Sequence, residues 1–108
     1  MRLVLPAGEP VTEELASFAA LEVARLARGE RARVLLELAG VESISREARD
    51  VFGSVPNLAA VAVLGAGPVD KVIATFLIGG GVRPPFPTRY FSSEHKARVW
   101  LTDISHDG

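Results

Sequence analysis

The chain contains no cysteine, only two histidines, and one each of methionine, tryptophan and tyrosine. Without thiols, disulfides, zinc–thiolate sites and cysteine nucleophiles are excluded. His95 falls in the first turn of an expected helix and His106 in the C-terminal tail, so no metal-ligand spacing arises. An excess of one charge is lacking too: 12 Lys and Arg against 13 Asp and Glu leave a formal net charge of −1. No overall field therefore draws nucleic acid or an anionic membrane. No apolar run approaches the ~20 residues of a spanning helix. The opening MRLVLPAGEP is interrupted too early for a signal peptide. G-x-S-x-G is absent, and the carboxylates are spread over helix surfaces rather than paired. These absences set the expectations: no enzyme, cofactor, metal, nucleic acid or membrane span, and a cytoplasmic location.

What is present is 108 residues with strands and helices in alternation. That length suits one domain, which buries roughly 65% of its unfolded surface without needing a staple. Residues 2–5 read as a strand. Thr12 reads as a helix N-cap, with Glu13 and Glu14 in the first turn and Gly29 beyond the end. Leu15, Ala19, Val23 and Leu26 share the expected inward face, with Phe18 beside it and Glu22 at its border. Residues 32–40 and 58–65 are nearly continuous apolar runs, as in strands buried on both faces. Between them Ser45 opens a helix whose Ile44, Ala48, Val51, Phe52 and Val55 follow helical spacing. Pro68 opens the next, with Val69, Val72, Ile73, Phe76 and Leu77 as its apolar stripe. Residues 88–92 read as a strand. A last helix, capped by Ser92 or Ser93, turns Ala97, Trp100, Leu101 and Ile104 inward. The order βαβαβαβα predicts an α/β domain with a largely parallel sheet. Its expected core is residues 34–38 and 60–64 with Val72, Phe76 and Trp100.

The stretch VAVLGAGPVDKV, residues 61–72, imitates a dinucleotide fingerprint: apolar strand, G-x-G, helix. The third glycine of that fingerprint permits close helix–strand packing. Here Asp70 stands in its place, in a first helical turn where its charge would repel a pyrophosphate. The motif also opens the third unit of the chain rather than the first, and no acidic residue follows at the next strand tip. The expected reading is a tight turn that needs glycine, with no NAD, FAD or nucleotide at residues 65–70.

Two segments resemble a known family. VLLELAGVESISREARDVF is similar to the central part of STAS domains, the module of sulfate transporters and anti-sigma factor antagonists. There a strand ending D-L-[ST]-G-V precedes a helix opening D-S-[ST]-G. Here the strand end is Glu37, Leu38, Ala39, Gly40 and Val41, and the helix opens with Ser45, Arg46, Glu47 and Ala48. Residues 67–74, 83–91 and 97–101 resemble SPVSRVIA, RPPFPTRLFT and EALAWL of a SpoIIAA-like STAS family in bacteria. The resemblance implies a SpoIIAA-like fold, a small, mostly parallel sheet of about four strands packed by about four helices. It also implies protein recognition rather than catalysis. The hydroxyl that accepts phosphate in the family aligns with Glu47, so the resemblance implies a module without that switch. The family's N-terminal strand pair is shortened to one strand, leaving an edge where another chain could add a strand.

The expected partner-contact patch is Ser43, Ser45, Arg46, Glu47, Arg49 and Asp50, with Ser45 as cap and the charged side chains in solvent. A kinase-like or sigma-regulatory protein, or a second copy in a homodimer, is the implied partner. The alternative is a small hydrophobic-ligand or lipid site beside the GGGVRPPF loop, lined by Ile78, Val82 and Phe86. Three successive glycines give that loop unusual backbone freedom.

Overall fold

The apolar run after residue 31 becomes strand β3 (Ala32–Glu37), and the run after residue 57 becomes β5 (Leu58–Leu64). They lie side by side and parallel at the centre of a four-stranded sheet. β1 (Arg2–Val4) flanks β3 and β6 (Thr88–Phe91) flanks β5, giving the order β1-β3-β5-β6 with every pair parallel. The computed structural model describes residues 1–55, 58–79 and 86–104.

Among the described residues four helices cover the sheet: α1 (Glu13–Ala27), α2 (Arg46–Gly53), α3 (Pro68–Gly79) and α4 (Glu94–Ile104). Strand alternation decides which helices meet which face. Val34, Leu36, Val61 and Val63 point to one side, where they join Ala16 and Val23 of α1, Ala48 of α2, and Ala74 and Leu77 of α3. Leu35, Ala60, Ala62 and Leu64 point to the other, against Ala97 and Leu101 of α4. Trp100 is half-buried there and meets the Phe91 ring at a centroid distance of 5.6 Å. Both faces are covered, which is why the two central strands lack polar alternation.

The caps follow their chemistry. Leu15 N–H donates to Thr12 Oγ1, and α1 ends with Arg28 and Gly29 both at positive φ, 52° and 81°. That left-handed exit is what Gly29 permits without strain. Ala48 N–H donates to Ser45 Oγ at 3.0 Å, making Ser45 the N-cap of α2. Lys96 N–H donates to Ser93 Oγ, so Ser93 lies at the head of α4.

Three expectations fail. First, α1 turns Ala19 and Val23 inward as expected, but with Ala16 beside them, while Leu26 and Phe18 stand 52% and 67% exposed. Small side chains let α1 approach the sheet closely, and that outweighs the larger side chains' preference for burial. Second, α3 buries Asp70, Ala74 and Leu77 and leaves Val69, Val72 and Phe76 exposed, so Val72 and Phe76 are not core residues. Third, a second N-terminal strand exists: β2 (Pro10–Val11) pairs with β4 (Ser43–Ile44) in a separate two-stranded ladder. Its brevity and its proline hid it. The side chain of Ile104 lies outside the described residues.

Candidate functional site

At the carboxyl ends of β3 and β5 the loops converge on Asp70. The residue is 7% exposed, and its carboxylate accepts two backbone N–H groups, from Ala66 at 2.7 Å and from Gly40 at 3.3 Å. One side chain thus ties the loop after β3 to the head of α3. The same carboxylate occupies the Ala66 amide, one of the donors a pyrophosphate would have to reach. Gly65 is required for a different reason. A Cβ there would lie 2.7 Å from the Asp70 Cβ and 2.8 Å from the Tyr90 hydroxyl. Gly67 has open space around it. The first glycine of G-x-G therefore serves the packing of Asp70 and Tyr90.

Asp70 also fixes which way α3 faces. With Asp70, Ala74 and Leu77 inward at 4-3 spacing, Val69, Val72 and Phe76 fall on the solvent side. Val69 and Val72 are 68% and 69% exposed, and Phe76 is 37% exposed. An apolar stripe of this kind on a helix exterior departs from the usual polar outer face.

The predicted patch lies on the neighbouring helix. Ser43 is exposed in β4, and Ser45 is half-buried with its hydroxyl engaged as cap. Arg46 and Glu47 are exposed on the first turn of α2, and the Asp50 side chain is 65% exposed. Arg49 corrects the expectation that it faces solvent, for its side chain is only 12% exposed. Its guanidinium lies 4.7 Å from the centroid of the Phe76 ring, and its Nη2 is 3.6 Å from the Asp50 Oδ1. A guanidinium stacks on an aromatic face without losing its charge. Arg49 thereby joins the charged surface of α2 to the apolar stripe of α3. A second side of α2 faces α1, where Glu13, Glu47 and Asp50 rim an open groove floored by Ala20, Val51 and Val55.

The alternative ligand site gains little room. Phe86, with Leu3, Ala19, Val34, Phe52 and Leu77, lines an apolar cavity of about 50 Å³. Ligand pockets usually measure roughly 300–1,000 Å³. Ile78 is half-buried and does not line it, and Val82 lies outside the described residues. Among the described residues no three His, Asp or Glu side chains converge as a metal site, and no helix is long and apolar enough to cross a membrane.

Sequence reasoning missed Val69, Val72 and Phe76 as surface residues, and Asp70 as a buried clamp. The signal was there: Asp70, Ala74 and Leu77 repeat at helical spacing alongside the larger apolar residues.

Residues 7–105 match a family described as a domain of unknown function (DUF7793). No curated protein matches the chain. Among solved structures, an uncharacterised protein of the DUF3478 family from Shewanella loihica PV-4, with a SpoIIAA-like fold, is similar at a TM-score of 0.60. It is 15% identical, over 86% of this chain and 78% of that chain. The chain therefore has a SpoIIAA-like fold, as the sequence resemblance implied. A protein of unknown function from Arthrobacter sp. FB24 is 39% identical over 94% of this chain and 89% of that one, with a TM-score of 0.38.

Proposed function

We propose that this chain, which belongs to the DUF7793 family, is a non-enzymatic protein-recognition module that docks a partner on the joined faces of α2 and α3. The observation that carries the reading is the exposed stripe of Val69, Val72 and Phe76, bordered through Arg49 by the charges of α2. Apolar area ringed by charges of both signs suits a specific protein contact: the apolar part supplies affinity, the charges register and selectivity. The STAS resemblance supports the same helix as the recognition element. It also favours a sigma-regulatory or kinase-like protein as the partner. Glu47 stands where the family carries its phosphate acceptor, so the interaction is constitutive at that position, with charge already in place. Ser45 is committed to capping α2, which leaves Ser43 as the exposed hydroxyl beside the patch.

Capture from native lysate tests the reading. Val72→Glu and Arg46→Glu both lie on exposed positions and should leave folding intact to within about 0.5 kcal/mol. Each should reduce recovery of the same partner band at least about tenfold, as expected for a residue near an interface centre. Lys96→Glu on α4, across the sheet, should leave recovery unchanged. Equal recovery by Val72→Glu and wild type would remove the α2–α3 face from the interaction. Arg49→Glu is unsuited to this test, because it would also unstack Phe76.

A further inference from the structure

The outward face of α1 carries a second feature that the α2–α3 reading does not use. Phe18 and Leu21 are 67% and 70% exposed, neighbours one turn apart on that face. Glu14 lies four residues before Phe18, and Arg25 lies four residues after Leu21; both are exposed. At about 100° per residue, the four side chains fall within roughly 60° of the helix circumference. The stripe Glu14, Phe18, Leu21, Arg25 has 4-3-4 spacing, which is the same read from either end. Its charges are opposite at the two ends. Glu22 takes two N–H groups of the Arg25 guanidinium, at 3.0 and 2.8 Å, and fixes it beside the stripe. A guanidinium has five such donors, so this pair does not exhaust it.

We infer that α1 is a self-association surface whose occupant is a second copy of this chain, packed α1 against α1 in antiparallel fashion. A two-fold axis between Phe18 and Leu21 sets Phe18 of one copy against Leu21 of the other. The same operation sets Glu14 against Arg25 at both ends. Closed two-fold interfaces require a surface complementary to itself, and the palindromic spacing with opposed end charges meets that requirement. The stripe of α3 does not: Val69, Val72 and Phe76 carry no such charge pair, and Lys71 is the charged residue exposed between them. α1 is about 22 Å long at 15 residues. A contact along one such helix is small beside the ~800 Å² per partner of standard interfaces, so the association should be weak and visible only as a concentration-dependent equilibrium.

Sedimentation equilibrium over a concentration series tests this, with circular dichroism as the check on folding. The wild type should pass from monomer to dimer. Leu21→Glu should abolish the dimer. Glu14→Arg and Arg25→Glu should each raise the dissociation constant at least about tenfold, because two attractive contacts become two repulsive ones. Mixing the two charge variants in equal amounts should restore association, since each then meets its opposite charge at both ends. Val72→Glu should dimerise as the wild type does. A wild type monomeric up to about 1 mM overturns the inference. So does a mixture no more associated than its separate components, or loss of the dimer in Val72→Glu. The mixing experiment holds even if Leu21→Glu fails to fold, and none of its outcomes depends on the partner proposed for α2 and α3.

Discussion

Replacing Asp70 by alanine removes the acceptor shared by Ala66 and Gly40. The Ala66 bond is short, at 2.7 Å, and the Gly40 bond longer, at 3.3 Å. A hydrogen bond to a charged group contributes about 1.5–3 kcal/mol, so the first deserves the upper part of that range and the second less than its lower limit. The residue is 7% exposed, so water does not fully replace what is lost. The expected cost of Asp70→Ala is about 2–4 kcal/mol. For a chain of this size each kcal/mol moves the thermal midpoint by roughly 4–8 °C, which makes the shift easily measured. Asp70→Asn keeps the shape and one acceptor oxygen but turns an NH₂ toward one of the amides, and about 1–2 kcal/mol is expected. Urea denaturation of both variants supplies the magnitudes, and amide exchange at Ala66 and Gly40 supplies the location. Both amides should exchange faster in Asp70→Ala even under strongly native conditions. If Asp70→Ala lies within about 0.5 kcal/mol of wild type, the clamp contributes nothing and the account of how α3 is oriented fails.

Phe76→Ala separates the two possible rotations of α3. With the ring 37% exposed and stacked under Arg49, the cost should be about 1–2 kcal/mol rather than the ~3–5 kcal/mol of a core aromatic; a larger loss in urea titration would place Phe76 in the core. Glu94 is held below the usual glutamate range, first by the hydrogen bond from Arg98 and then by the charge of Arg2. A carboxylate lowered on folding stabilises above its unfolded pKa, and that contribution disappears as pH falls through its folded value. Glu94→Gln should therefore have a lower thermal midpoint than wild type at neutral pH, and the two should converge as the pH falls below the ordinary glutamate range; a gap independent of pH would contradict this.

Much of the fold was legible because strands and caps depend on local sequence. The apolar runs of β3 and β5, the caps at Thr12 and Ser45 and the exit at Gly29 all express near-neighbour physics. The rotation of α1 and α3 was not legible in the same way. Both helices are apolar around more than half their circumference, so the hydrophobic pattern alone admits two inward faces. Close approach chose the small residues Ala16, Ala19 and Ala74, and a buried carboxylate settled α3. Asp70 looked like an obstacle to a ligand because its partner, Gly40, lies 30 residues away in sequence. Ser45 was legible as the cap that opens α2. Arg49 was misjudged, because its stacking partner Phe76 belongs to a helix whose outward face depends on that same clamp.

Whether a partner protein sits on the joined faces of α2 and α3 is read most directly by site-specific photocross-linking in native lysate. A photoreactive residue replaces Val72 in one variant and Lys96 of α4 in another, so the two probes face opposite sides of the sheet. The account predicts one discrete cross-linked heterologous product at position 72, competed away by excess wild-type protein but not by Arg46→Glu, and none at position 96. Equal labelling at both positions, or a product at 72 that Arg46→Glu competes as well as the wild type does, would contradict it.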